Sequence, residues 1–196
     1  MASGSSAQGS SHRRRGDTRQ RIQDVALELF VEQGYEKTSL REIAERLEVT
    51  KAALYYHFKT KEDIIVSVFE DLTRPIDELI AWAEAQPPTL ETKREVLRRY
   101  SESMGAGASL FRFTQENQAT VRDLSIGGAM KSRTFRLVEL LRTEGGALTD
   151  QVRCVSALFT LHAGMMYLQH VDGDPEETRL AALESATALL TQAHHS

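Results

Sequence analysis

The sequence predicts an all-α protein. Three observations carry this: apolar residues recur at three- and four-residue steps in segment after segment, no stretch alternates as a half-buried strand would, and the segments are bounded by helix caps, glycines and prolines. The expected architecture is a small amino-terminal three-helix domain containing a helix-turn-helix, followed by a larger helical bundle, with about nine helices in all.

Residues Met1 to Ser11 are rich in Ser, Gly and Ala without periodicity and are expected to be disordered, with His12-Arg13-Arg14-Arg15 following as a basic arm, so that 1–16 forms one disordered segment. Such a basic arm suits a nucleic-acid minor groove or a run of phosphates. From Thr18 the pattern Ile22, Val25, Ala26, Leu29, Phe30 marks an amphipathic helix that Gly34 ends by taking the left-handed conformation, with Tyr35 folding back on it. Leu40, Ile43, Ala44 and Leu47 form the stripe of a second helix. Ser39 and Glu42 give it a capping box, the hydroxyl accepting from the Glu42 N–H and the carboxylate accepting from the Ser39 N–H.

Glu48-Val49-Thr50 then breaks the pattern, and Thr50 is an N-cap for a third helix. On that helix only Leu54 and Phe58 point clearly inward. Lys51, Ala52, Ala53, Tyr55, Tyr56 and His57 remain on the outer side. A helix over 50–57 is about 12 Å long, short enough to enter a major groove end-on. Its small first turn suits close approach to base edges, and its hydroxyl, ring and imidazole groups suit phosphate and thymine-methyl contacts. Periodicity alone would fit any αα-corner; the residue identities favour DNA.

Thr60 and Asp63 form a second cap, and Lys61 at that helix start combines an ammonium with free N–H groups, a combination suited to phosphate. Ile64, Ile65, Val68, Phe69 and Leu72 continue this fourth helix. Pro75 is expected to kink or break it near Leu72, after which Ile76, Leu79, Ile80 and Ala83 resume the face until Pro87-Pro88.

Further helices are expected over 89–104, 109–119, 120–144 with an interruption at Gly127-Gly128, 148–171 and 176–193, the last beginning after the turn Asp172-Gly173-Asp174-Pro175. The last two carry Ala157, Leu158, Leu161, Ala163, Gly164, Leu180, Ala181, Ala186 and Leu190, more small and apolar surface than one core stripe requires.

Charge is unevenly placed. Residues 1–61 hold 11 Lys and Arg against 8 Asp and Glu, and the remainder 13 against 20, so +3 and -7 make the net -4. The basic share lies with the motif, and the acidic body should face away from a duplex. No stretch approaches a membrane-spanning length and the amino terminus lacks an apolar signal core, so a cytoplasmic protein without membrane contact is expected. The single Cys154 reads as a small buried hydrophobe. No nucleophile–base spacing, glycine-rich phosphate loop or metal motif occurs, so no catalytic residue, metal or cofactor is expected.

The strings Thr38-Ser39-Leu40-Arg41-Glu42-Ile43-Ala44, Val49-Thr50-Lys51-Ala52-Ala53-Leu54-Tyr55-Tyr56-His57-Phe58 and Lys59-Thr60-Lys61-Glu62-Asp63 resemble, almost position for position, the amino-terminal signature of the TetR (tetracycline-repressor-like) family, over roughly 18–65. The resemblance implies a DNA-binding domain over 17–62, with its motif at 39–58, and a ligand-binding and dimerisation domain over 63–196. It implies DNA contacts from Thr38, Ser39, Thr50, Lys51, Ala52, Ala53, Tyr55, Tyr56, His57 and Lys61, with Thr38, Tyr55, Tyr56 and Lys61 meeting phosphates. It also implies a homodimer formed by the last two helices, reading a palindromic operator in double-stranded DNA. A small apolar or aromatic effector would then bind in the body and change the separation of the reading heads, with Trp82, Tyr100, Phe111, Phe113, Phe135, His162, Met166 and Tyr167 as candidate liners.

One departure stands out: the family commonly has Gly where this chain has Glu48, and Glu at positive φ costs about 1 kcal/mol. The expected function is a homodimeric repressor. The alternatives are an activator of the same family, or a helical ligand- or partner-binding module without DNA function.

Overall fold

The computed structural model describes the backbone of residues 8–106, 126–167 and 174–195 and the side chains of 18–104, 126–164 and 174–194. Among the described residues run eight helices and no strand: α1 (Gln8–Gln33), α2 (Leu40–Arg46), α3 (Lys51–His57), α4 (Lys61–Glu84), α5 (Leu90–Ala106), α6 (Ile126–Leu141), α7 (Leu148–Tyr167) and α8 (Pro175–His195). The chain divides into two compact units at Asp71–Leu72, within α4.

Three elements differ from the sequence expectation. The backbone of α1 begins at Gln8 rather than Thr18, so the basic run 12–15 lies inside a helix instead of a disordered arm. Arginine is a good helix former, and extending an existing helix by a turn is far cheaper than nucleating one. Pro75 does not break α4, which runs unbroken from Lys61 to Glu84. The proline removes only the rung to the Asp71 carbonyl, while Ile76, Leu79 and Ile80 beyond it are buried, and burial of about 1.5–3 kcal/mol for each large aliphatic side chain exceeds a proline penalty of about 3 kcal/mol. Gly127 and Gly128 likewise sit within α6 and do not interrupt it.

The first unit is a three-helix head closed by the first half of α4. Ile22, Ala26, Leu29 and Phe30 of α1, Ile43 and Ala44 of α2, Leu54 of α3 and Ile64, Ile65, Val68 and Phe69 of α4 are buried, as the i, i+3, i+4 spacing requires. A polar seam runs beside this core: Gln23, 2% exposed, donates through Nε2 to the Ser67 hydroxyl and, at 2.7 Å, to Asp71 Oδ2, and Arg19 donates to the same hydroxyl at 2.8 Å.

The second unit packs α5, α7 and α8 around Leu97, Tyr100, Leu158, Leu161, Ala186 and Leu190, with the rest of α4 and α6 adding Ile80, Leu137 and Leu141. Arg133 of α6 forks onto Asp77 of α4 through two bonds of 2.8 and 2.7 Å, and Arg136 reaches Glu84 at 2.7 Å. Lys93 is buried, its ammonium donating at 2.9 Å to both the Arg142 carbonyl and the Thr143 hydroxyl beyond α6. Cys154 is a free, buried thiol, as expected, and burial pushes its pKa up. Gly145, at φ +72°, ends the excursion after α6 in the left-handed conformation.

Gly164 of α7 lies so close to α8 that a Cβ built on it would stand 2.6 Å from the Ala182 Cβ. Some of the small residues therefore serve close helix approach within one chain. What α7 and α8 leave outside is different: Leu148 (77% exposed), Val152 and Phe159 fall on one stripe of α7, and Leu180 is exposed on α8.

Candidate nucleic-acid interface

Local chemistry sets the shape of the α2–turn–α3 element. Ser39 is the N-cap of α2, with the Ser39 N–H donating to Glu42 Oε2 at 2.7 Å and the Glu42 N–H donating to Ser39 Oγ at 3.2 Å. The Ser39 hydroxyl, which donates to Glu42 Oε2 at 2.7 Å, and then the Ser39 N–H hold the Glu42 carboxyl below its ordinary pKa. The Leu47 N–H closes on the Ile43 carbonyl, and the chain then turns through Glu48 at φ +55° before the Val49 N–H reaches back to the Ala44 carbonyl at 3.0 Å. Glu48 is the strained residue that the sequence anticipated. Replacing it with Gly should stabilise the fold by about 1 kcal/mol, since only the Cβ penalty of the left-handed conformation is removed. Equilibrium urea unfolding checks this, and an unchanged or lower midpoint would show that the turn carries no such strain.

Thr50 caps α3 through its hydroxyl, which accepts from the Ala53 N–H at 3.2 Å. Leu54 and Phe58 are buried, and the other face is open to solvent: Lys51 and Ala52 are exposed, Tyr55 is 43% and Tyr56 64% exposed, and Ser39 and Thr50 are exposed beside them. Ala53 and His57 are half-buried, the His57 ring meeting Tyr56 edge-on at 5.2 Å. Seven residues at 1.5 Å rise make a rod of about 10 Å, which fits a B-form major groove about 12 Å wide.

Two further residues hold this helix in place and escaped the sequence reading. Lys59 Nζ donates to the Tyr55 carbonyl at 2.5 Å, putting a cation on the carboxy-terminal end of α3, where the helix dipole favours one. The Arg19 guanidinium lies 4.6 Å from the centroid of the Phe58 ring while bonding Ser67, and so ties the end of α3 to α1 and α4. The only sequence signal was a Lys just past a helix end. Nothing local marks Arg19. The second cap forms as expected, with Asp63 Oδ2 accepting from the Lys59 and Thr60 N–H groups and Thr60 Oγ1 accepting from the Asp63 N–H.

Two of the expected phosphate ligands point inward. Thr38 is 2% exposed, and its hydroxyl donates to the Gly34 carbonyl at 2.9 Å while accepting from Gln33 Nε2, so it closes the end of α1. Lys61 is half-buried, with Nζ donating to the Tyr35 carbonyl at 2.7 Å and lying 4.4 Å from the centroid of the Tyr35 ring. Burial, and then the nearby Glu62, Glu36 and Asp63, push the Tyr35 pKa up to about 12, so its phenol stays neutral.

The candidate liners of the second unit divide. Tyr100 and His162 meet, with the phenol oxygen 2.8 Å from Nε2. Trp82 packs at the edge of the core under the Arg99 guanidinium, 4.1 Å from its ring centroid, and Phe135 is 59% exposed with the Lys131 ammonium near its ring. Phe111 and Phe113 lie outside the described residues, as do the side chains of Met166 and Tyr167 at the end of α7. Among the described residues no group of His, Cys, Asp or Glu could hold a metal ion, and no helix is long and apolar enough to cross a membrane.

Residues 22–68 match the family profile described as bacterial regulatory proteins, tetR family. The HTH-type transcriptional regulator AcrR of Shigella flexneri is 44% identical over 89 residues, covering 44% of this chain and 41% of that protein. The HTH-type transcriptional activator FasR of Mycolicibacterium smegmatis is 33% identical over 89 residues, covering 45% and 39%. The chain thus spans about two fifths of the length of these relatives. A crystal structure of a transcriptional regulator of the TerR/AcrR family from Aquifex aeolicus VF5 superposes with a TM-score of 0.69 over 88% of this chain and 99% of that one, at 21% identity, which shows the fold alone.

Proposed function

We propose that this chain, whose residues 22–68 match the profile of the tetR family of bacterial regulatory proteins, is a homodimeric, sequence-specific DNA-binding transcription repressor, released from a palindromic operator by a small apolar or aromatic effector. The observation that carries this reading is α3 itself, a capped helix with a solvent-exposed Lys51, Ala52, Tyr55, Tyr56 face on a well-packed head. A seven-residue helix packed by Leu54 and Phe58 needs no such outer face for stability. A major groove does need one.

Dimerisation follows from two considerations. Two recognition helices must stand about 34–36 Å apart to read successive major grooves. The exposed Leu148, Val152, Phe159 stripe and Leu180 offer the apolar surface that a second copy would cover. The protein acts in the cytoplasm, where bacterial DNA lies.

A gel shift against the DNA flanking its own coding region tests the reading. A salt-sensitive, sequence-specific shift is expected, and its absence would favour a helical binding module without DNA function. In a transcription assay the operator-bound protein should lower expression. An increase would assign it to the activators, as FasR is named.

Of the basic residues, Lys51 is exposed at the start of α3 and is assigned to phosphate, whereas Lys61, turned to the Tyr35 carbonyl, is left out of that set. Replacing Lys51 by Ala should lower the slope of log K against log salt by about one unit. Lys61→Ala should leave the slope alone and lower the melting temperature. Equal slope losses for the two variants would return Lys61 to the phosphate contacts.

A further inference from the structure

His162 of α7 sits between two rings: Tyr100 of α5, edge-on at 5.7 Å between centroids, and Phe159, one turn earlier on α7, at 5.5 Å. Its Nε2 is taken by the Tyr100 phenol at 2.8 Å. Its Nδ1 is buried and finds no hydrogen-bond partner among the described residues. Buried polar atoms are satisfied in the great majority of cases, so a solitary one asks for an occupant.

The position of the ring proton follows from counting donors. Burial pushes the Tyr100 pKa up and the His162 pKa down, so both groups are neutral near pH 7. Were the proton on Nε2, it would point at the phenol oxygen. The phenol O–H would then lack an acceptor and the Nδ1 lone pair would lack a donor, leaving two groups unmet. With the phenol donating to Nε2, the ring proton is on Nδ1, and the only unmet group of the pair is that N–H.

We propose that the His162 Nδ1–H is the polar contact of the effector site, and that the effector is an uncharged, mainly apolar molecule presenting a carbonyl or ether oxygen. This rests on the proposed function, within which it narrows the ligand class. The setting selects against other chemistries. A cation would face a donor, and a carboxylate would be buried against an aromatic and aliphatic surround with one neutral N–H for it. A pure hydrocarbon offers no acceptor and would leave the N–H unmet.

The experiment uses the full chain with 15N-labelled histidine and two probes of nearly equal shape, acetophenone and ethylbenzene. In the free protein the His162 nitrogens, assigned with His162→Gln, should show Nδ1 protonated and Nε2 bare; the reverse pattern overturns the proposal. Acetophenone should bind about tenfold more tightly than ethylbenzene to the wild-type chain, as expected for satisfying one buried donor. The ratio should fall to within about twofold in His162→Phe and keep an intermediate value in His162→Gln, whose amide retains a donor. If His162→Phe does not fold, the Gln variant and the nitrogen spectrum still decide. Equal binding of the two probes to the wild type overturns the assignment, and so does failure of both to bind, which would leave the N–H to a buried water. Operator binding is measured in the same samples. A ketone preference without an operator shift would keep the subsite and remove the regulator, and a shift without the preference would do the opposite.

Discussion

Replacing Val152 and Phe159 together by Asp is expected to leave the chain folded but monomeric, and to weaken operator binding by roughly a hundredfold or more. Both side chains are more than half exposed, at 55% and 51%, so their loss removes little from the core of a single chain. In a dimer the same stripe would be covered, and an interface of standard size hides about 800 Å² on each partner. Two carboxylates per chain, repeated by the two-fold axis, would then be desolvated without partners, a cost no rim contact offsets. Operator affinity falls because the second head no longer binds as an intramolecular event, and the avidity factor of about 10²–10⁴ is lost. Sedimentation equilibrium and an operator titration read the two effects separately. A variant that keeps the wild-type dimer mass would place the dimer face elsewhere. A monomer that keeps full affinity would remove the palindrome.

The second large effect is expected at Gly164. With the Ala182 Cβ only 2.6 Å from where a side chain would begin, Gly164→Val should cost about 3 kcal/mol, since neither helix can yield without opening the α7–α8 packing. For a chain of this size that is a drop of about 6–12 °C in melting temperature. Gly164→Ala should cost less, because alanine regains about 1 kcal/mol of helix propensity. The diagnostic is the pair. Ala182→Gly removes the opposing methyl, so Gly164→Ala combined with Ala182→Gly should be clearly more stable than the sum of the single changes predicts. Strict additivity in thermal unfolding would show that the two positions do not compete for the same space.

Much of the head was legible because its determinants are local. The Ser39–Glu42 box, the Thr50 and Thr60 caps, the Leu54 and Phe58 anchors and the strain at Glu48 each depend on residues within four or five positions, where spacing dictates contact. The inward turns of Thr38 and Lys61 were not legible. Lys61 meets Tyr35 across 26 positions, and a cation at a helix start looks the same in sequence whether it faces phosphate or a carbonyl of its own chain. Pro75 misled for a related reason, since the local rule breaks the helix and burial of Ile76, Leu79 and Ile80 keeps it. In the second unit Gly164 was read as surface for another copy because small residues carry no sign of which helix they approach. Tyr100 and His162 were both among the candidates, but their pairing across 62 positions needed coordinates.

The seating of Lys61 has a practical consequence for mapping the protein's contacts by chemistry. An amine-acylating reagent needs an accessible nitrogen lone pair. Lys51, on the open side of α3, should react quickly, whereas Lys61, hydrogen-bonded to a main-chain oxygen and covered by the Tyr35 ring, should be slow before any duplex is added. A modification footprint that scores only the complex would therefore not separate a DNA contact at Lys61 from the shield already built into the free head, and the difference between free and duplex-bound chain is the signal to follow at both lysines.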